Sequence, residues 1–264
     1  EDGDHIYKTT DGGKTWKQTL YVDDNTGAVD LDMNPANANE LYAAMWYRTR
    51  RAWSFEEGGK TSGIYKSTDG GNSWQLLTKP GAGFLTGEGT GRIGIAVSPS
   101  KPNTVYAVVD NQNNKPDTVK KDTAKYELKD FKSLTKEDFA KLDNKKLDTF
   151  FKNTGMSRRY TAVQVKEMVA ADKVKPTTVY DYLFTDDGFQ GSPIGCEVYR
   201  SDDAGVSWKK VNEKEIQIFF TYGYYFSKIY VSPVNENKVF VLGFSSQLST
   251  DGGKTFKNMD KPSV

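Results

Sequence analysis

One pattern recurs four times along the 264 residues and constrains the fold more than any other property: Ser/Thr-x-Asp-x-Gly-x-Ser/Thr-aromatic. It occupies Thr9–Trp16, Ser67–Trp74, Ser201–Trp208 and Ser249–Phe256, and self-similarity of this kind marks a repeated structural unit. The residues ahead of three copies (Ile6-Tyr7, Ile64-Tyr65, Val198-Tyr199) have strand composition, and Asp-Gly-Gly or Asp-Ala-Gly supplies a turn in which Gly can take positive φ. Each copy therefore reads as the turn of a hairpin. Its Asp can accept hydrogen bonds from the N–H groups of its own turn, with the closing aromatic packed underneath. On this reading Asp11, Asp69, Asp203 and Asp251, with Trp16, Trp74, Trp208 and Phe256, are structural. The fourth copy departs in having Gln247 where the others have Tyr, and Phe256 where they have Trp.

A second pattern alternates with the first. Leu31, Met33, Pro35, Leu41 and Tyr42 align with Ile95, Val97, Pro99, Val105 and Tyr106, and again with Ile229, Val231, Pro233, Val239 and Phe240. Alternating apolar residues before the Pro predict a strand, and the polar stretch after it predicts a turn into a returning strand. The repeat unit is then four strands. Tandem four-stranded units point to an all-β chain, a β-propeller in which each blade covers its neighbour's apolar face. Strands three and four of a first blade are expected at about 5 to 20, followed by full blades at about 28 to 79, 92 to 212 and 226 to 259. Three and a half blades are fewer than the roughly four to eight that close a ring, so the remaining blades of a larger propeller are expected as partners.

The intervals between the patterns assign the faces. From box Asp to the next Pro they are 24, 30 and 30 residues, and from the strand aromatic to the next box Asp 27, 97 and 11. Variation thus falls on the face opposite the boxes, and loops of variable length on a rigid scaffold are where binding resides. The long connection, residues 111 to 190, carries a helical insertion. Thr135 opens a helix as a capping box, with Phe139, Leu142, Leu147, Phe150 and Phe151 on one face and Asn153 to Gly155 ending it. A second amphipathic stretch runs from Thr161 to Ala171, and two helices this short need a surface to pack on.

Composition removes several chemistries. A single Cys, Cys196, excludes an internal disulfide and a cysteine-based zinc site, and a single His, His5, excludes two- and three-His metal sites. Lys plus Arg is 36 against 35 for Asp plus Glu, a net charge of +1 that gives no field to draw in nucleic acid. No apolar run approaches the roughly 20 residues of a membrane span, so no membrane insertion is expected. Asp23 to Gly27 resembles the start of a calcium loop, but Asn34 stands where the closing Glu would be. No metal and no cofactor are predicted.

The densest cationic and aromatic cluster is Trp46, Tyr47, Arg48, Arg50, Arg51 and Trp53, on the loop face. Arg forks bind carboxylates, and flat rings stack on sugars or on Arg. The same residues read equally as packing, with the Arg side chains paired to Glu56, Glu57 or Glu88. Tyr222, Tyr224 and Tyr225 form a second aromatic cluster before the last blade. A glycosidase would need two facing carboxylates, for which Glu56, Glu57, Glu88, Asp110, Asp186, Asp187 and Glu197 are loop-face candidates.

The four boxes resemble the Asp-box (BNR) repeat families, which include bacterial sialidases, xyloglucanases and sortilin-type propellers. With Asn34-Pro35, Tyr42, Trp46 to Trp53, Arg92 to Pro99 and Val198 to Trp208, the chain is similar to large exported bacterial proteins of the sortilin N-terminal (VPS10) type, often labelled glycosyl hydrolases. The resemblance implies a propeller and export to the periplasm, cell surface or medium. Sialidases use three Arg from separate blades, whereas Arg48, Arg50 and Arg51 share one loop, so their triad is not recognisable. The expectation is a module that binds a protein segment or glycan on its loop face without catalysis of its own, the alternative being a glycoside hydrolase working through paired carboxylates.

Overall fold

A computed structural model describes residues 5–52, 54–115, 125–183, 193–220 and 222–260. The chain divides into two compact units, Glu1–Lys115 with Gly191–Val264, and Pro116–Gln190.

The first unit is a partial β-propeller. It opens with a hairpin of β1 (Ile6–Lys8) and β2 (Lys17–Leu20). Three four-stranded antiparallel sheets follow. The first holds β3 (Thr26–Met33) and β4 (Leu41–Tyr47); after a side hairpin of β5 (Thr49–Arg51) and β6 (Ser54–Glu56) it is completed by β7 (Gly63–Ser67) and β8 (Gln75–Leu76). The second holds β9 (Thr90–Val97), β10 (Val105–Asn114), β11 (Pro193–Ser201) and β12 (Lys209–Lys210). The third holds β13 (Lys228–Ser232), β14 (Asn235–Leu242), β15 (Ser246–Ser249) and β16 (Lys257–Asn258). In each sheet the four strands stand side by side in chain order.

Period-two alternation sends successive side chains to opposite faces of a strand, and each face meets a different neighbour. Ala43 and Met45 of β4 pack back onto Leu20 of the opening hairpin. Tyr42 and Ala44 pack forward onto Ile93, Ile95 and Val97 of β9. The next interface repeats this, with Ala96, Tyr106, Val108 and Val198 against Ile229, Val239 and Val241. Leu31 and Met33 are exposed although their equivalents Ile95 and Val97 are buried, because among the described residues the opening hairpin brings only two strands to cover them.

The inner strands adjoin one another, and β9 presents backbone N–H groups that its own sheet does not use. Two carboxylates of β3 cap them: Ile95 N donates to Asp30 Oδ2 at 3.0 Å and Val97 N to Asp32 Oδ2 at 2.7 Å. Asp30 also accepts from Lys228 Nζ at 2.7 Å. A strand edge covered in this way cannot recruit a foreign strand.

The boxes form the opposite rim. In the third copy Gly205 N donates to Ser201 Oγ at 2.8 Å, while Asp203 accepts from Ser207 N at 2.9 Å and Ser207 Oγ at 2.6 Å. The other copies repeat the arrangement. Hydrogen bonds from Thr15 hold Asp11 down at about 2, and those from Thr255 do the same for Asp251. The second, third and fourth box turns also tie to the Pro turn of their own blade, through Gly70 N to Asn39 O, Ala204 N to Asn103 O and Gly252 N to Asn237 O.

The second unit corrects the sequence reading in one respect. The expected first helix is two, α1 (Lys136–Lys141) and α2 (Asn144–Asn153), broken where Asp143 takes extended geometry and caps Lys146 N. With α3 (Ala162–Ala170) and α4 (Thr178–Leu183) the described residues of this unit hold four α-helices, and they bury one another. Phe131, Phe139, Leu147, Phe151, Val165 and Val179 form a core belonging to this unit, so the apolar stripes do not require another surface.

Candidate functional site

The rim opposite the boxes gathers the connection from β4 to β7, the end of β10 and the segments leading into β9 and β13. Gly59 N donates to Thr90 O and Gln112 N to Gly89 O, which locks the loops together. Trp46, at the end of β4, is 2% exposed and donates Nε1 to Glu57 O at 2.6 Å. It therefore presents no face to a ligand. Its ring instead underlies two guanidinium groups, Arg48 with Cζ 5.5 Å and Arg92 with Cζ 5.6 Å from the centroid.

The side hairpin β5–β6 exposes Arg50 and Arg51. Arg50 lies over Phe55 at 5.4 Å, and Phe55 meets Tyr224 edge-on at 5.1 Å. Arg92 Nη1 donates to Tyr224 O at 3.3 Å. The two clusters that the sequence lists separately are thus one continuous surface. Tyr47 serves the hairpin, donating its hydroxyl to Glu56, which also accepts from Thr49. Glu88 pairs with Lys60 at 2.9 Å. Trp53, Asp186 and Asp187 lie outside the described residues.

From Tyr224 the surface continues through rings in mutual contact. Tyr222 meets Tyr224 at 5.9 Å and Phe244 at 5.4 Å, and Phe244 meets Phe220 at 5.6 Å and Phe226 at 4.8 Å. Tyr225, 73% exposed, stands edge-on to Tyr224. Phe220, Tyr222, Tyr225 and Phe244 are all exposed. The segment is bracketed by two strained residues, Phe220 at φ 50 and Ser227 at φ 51. Non-glycine residues at positive φ cost on the order of 1 kcal/mol or more and persist where the surroundings dictate the shape. Ser227 Oγ donates to Gly223 O at 3.0 Å, and a Cβ on Gly94 would stand 2.1 Å from Ser227 O.

Beneath this segment lies a pair of acids. Asp110, on β10, is fully buried, and Gly223 presses on its carboxyl. Gln112 donates to Oδ2, while Oδ1 has no hydrogen-bond partner. Burial pushes Asp110 up to about 7. Glu57, half-buried with Oε2 unpartnered, is pushed up to about 7 by burial and then by the nearby Asp110 charge. Glu197 is buried as well, accepting from Lys210, Asn111 and Tyr199.

Phe55, Arg92, Phe220 and Phe244 escape sequence reasoning. Phe244 occupies a tight turn between β14 and β15, and a large apolar residue in such a turn is the signal that would have found it. Among the described residues no group of three or more His, Cys, Asp or Glu is placed to hold a metal ion. No helix among them is long and apolar enough to cross a membrane.

The BNR/Asp-box repeat family matches at residues 7–18, the first of the four boxes. No curated protein matches in sequence. Among solved structures the chain is similar to an ancestral GH74 enzyme, at 16% identity and TM-score 0.47 over 100% of this chain and 22% of that one. It is also similar to the GH74 xyloglucanase from Xanthomonas campestris, at 12% identity and TM-score 0.46 over 93% of this chain and 24% of the other. A third similar structure, YCF48 bound to D1 peptide, shares 9% identity at TM-score 0.40 over 89% of this chain and 40% of its own. The chain thus spans about a quarter of the length of the two GH74 proteins.

Proposed function

We propose that this propeller module binds a protein segment on its loop face, one that offers apolar side chains flanked by acidic residues. The observation that carries the reading is the contiguous exposed array Phe220, Tyr222, Tyr225 and Phe244, joined through Tyr224 and Phe55 to Arg50. Large exposed apolar clusters of this kind mark interaction sites.

Ring geometry favours a peptide over a glycan. An extended sugar platform calls for rings lying in one plane, whereas Tyr222 and Phe244 meet at 87° and Tyr224 and Tyr225 at 81°. The result is a corrugated apolar surface suited to side chains. Arg50 and Arg51 at its border favour acidic flanks. Binding rather than turnover is supported by the state of the described carboxylates: Asp110 and Glu197 are buried, Glu88 is paired with Lys60, and Glu56 is engaged by Tyr47 and Thr49, which leaves Glu57, half-buried beside Asp110, where a glycosidase needs two. Export is part of the same proposal.

The test is selection from a random-peptide display library. Enrichment of apolar-acidic peptides is expected, with affinity falling roughly 30-fold or more for Tyr225→Ala with Phe244→Ala, as for a hot spot worth about 2 kcal/mol. Replacing Arg48, Arg50 and Arg51 by Ala should abolish capture without unfolding the chain. Peptides retained equally by these variants, or binding or cleavage of a polysaccharide in place of peptide, would overturn the proposal.

A further inference from the structure

The aromatic surface stands on a single carboxyl. Asp110 sits where the pairing of β10 with β9 slips, from Val109 opposite Ile93 to Asn111 opposite Thr90, so that it faces Gly91 and Arg92 together. A bulge of this kind re-aims a side chain. A Cβ on Gly91 would stand 2.4 Å from Asp110 O, and one on Gly223 would stand 2.0 Å from Asp110 Oδ2 and 2.4 Å from Oδ1. Gly223 therefore covers both oxygens of a carboxyl that is 0% exposed and whose Oδ1 has no hydrogen-bond partner.

Each element packed around Asp110 brings its own titratable group. The connection from β6 to β7 brings Glu57, a second acid, with Oε2 unpartnered. On β11, Cys196 pairs with Asp110 across the sheet, and its thiol is raised by burial and then by the charges of Asp110 and Glu197. Glu197 itself is engaged by Lys210, Asn111 and Tyr199. On β9, Arg92 places its guanidinium over Trp46, as Arg48 does, and donates to Tyr224 O. The segment above brings Tyr222, Tyr224 and Tyr225, whose rings contact one another. Gln112 alone donates to the carboxyl, at Oδ2. A charge on Asp110 would thus be buried with one oxygen bare, which is expensive unless water reaches it.

The segment over the acid is tied mainly to itself. Tyr225 N and Phe226 N both donate to Tyr222 O, and Ser227 Oγ donates to Gly223 O. It lies between two residues at positive φ, Phe220 and Ser227, and strain of that kind belongs to switch regions, where it is part of the mechanism. Water gains Oδ1 when Gly223 rises, and the rings on either side of Gly223 rise with it.

We propose that Asp110 is a proton-operated latch for this surface: protonated, it lets Gly223 seat and presents Tyr222, Tyr225 and Phe244 as one array, and ionised, it draws in water, lifts the segment and breaks the array. The latch rests on the reading of that array as the binding surface and adds its regulation. The proton leaves to solvent, and Glu57 works in the same sense, because a charge on either acid opposes a charge on the other. Since Asp110 keeps its proton up to about 7, the surface is assembled below that pH and released above it.

Near-ultraviolet circular dichroism and acrylamide quenching of the free chain, followed against pH well below the melting transition, read the latch without a ligand. A transition centred at about 7 is expected. Affinity for a selected apolar-acidic peptide that contains no His should fall roughly tenfold from pH 6 to pH 8, the loss for one linked proton with a midpoint of about 7. Asp110→Asn cannot ionise and should hold the acid-side spectrum and affinity throughout, while Gly223→Ala should show the released spectrum and weak binding at every pH. A wild-type spectrum and affinity that stay constant over this range, or an Asp110→Asn chain that keeps the wild-type transition, would overturn the latch. A spectral transition that Asp110→Asn abolishes, in a chain that captures no peptide even at acid pH, would uphold the latch and remove the binding assignment instead.

Discussion

Gly223 lies so close to Asp110 that a Cβ added to it would stand 1.9 Å from the carboxyl carbon. The aromatic segment that carries Tyr222, Tyr224 and Tyr225 is therefore seated on a buried acid, and the fit requires the absence of one methyl group.

Gly223→Ala should lift that segment. Forcing an extra carbon into a filled site costs about 1–3 kcal/mol, which for a chain of this size lowers Tm by roughly 2–4 °C per kcal/mol. The near-ultraviolet circular dichroism should change with it, because the rings lose their mutual contacts. Gly12→Ala is the comparison: its φ of +72 strains any side chain, but nothing lies within 4 Å. That variant should lose stability with the aromatic spectrum intact, and identical spectra for both variants would contradict the seating.

The same acid sets a pH dependence. An unfolded Asp ionises near 3.8, whereas folded Asp110 holds its proton up to about 7. Between those values the unfolded chain gains from ionising and the folded chain does not, so stability falls as pH rises from about 4 to 7 and levels off above. Glu57 adds in the same direction. The box carboxylates act oppositely: Asp11 and Asp251, held at about 2, contribute stability above the ordinary carboxylate range that is lost as pH falls through 2. Tm should peak at mildly acidic pH, and Asp110→Asn, which keeps the acceptor for Gln112, should flatten the limb between 4 and 7. A wild-type Tm that rises steadily to pH 8 would exclude this assignment.

The boxes, the Pro turns and the blade count were legible because each depends on residues a few positions apart: a Ser, an Asp and a Gly within one turn must stand in fixed order to bond one another. The sequence offers Asp110 and Glu57 as candidate carboxylates, but their proximity depends on how two connections cross a rim, which spacing does not encode. Asp30 and Asp32 read as ordinary polar alternation on a strand, and their task of capping β9 becomes visible only when the neighbouring blade is in place. The break at Asp143 was hidden because the apolar stripe runs on through it, while the extended backbone of Asp143 and its bond to Lys146 N decide the boundary.

Ser201 is 1% exposed and its Oγ accepts from Gly205 N at 2.8 Å inside the joint sealed by Trp208. Ser201→Ala leaves that N–H buried without a partner, which costs about 1–3 kcal/mol. Peptide affinity measured well below the melting transition should be unchanged, because the boxes lie on the rim opposite the aromatic surface. An affinity loss without a stability loss would place the boxes in the binding site after all.

Arg92 ties the rim together, with its guanidinium over Trp46 and a hydrogen bond to Tyr224 O. Burial lowers its proton affinity, yet an Arg remains charged at any working pH. Arg92→Met keeps the apolar stem and removes the fork, so Tyr224 loses its anchor and its contact with Phe55 loosens. The expected outcome is a chain that melts within a few degrees of wild type but whose tyrosines are quenched more readily by acrylamide, with peptide affinity reduced about tenfold, or about 1.4 kcal/mol. Lys at this position supplies charge without the planar fork and should restore affinity only in part. Quenching and affinity both identical to wild type in Arg92→Met would show that the Phe55–Tyr224 contact, rather than Arg92, joins the cationic hairpin to the aromatic array.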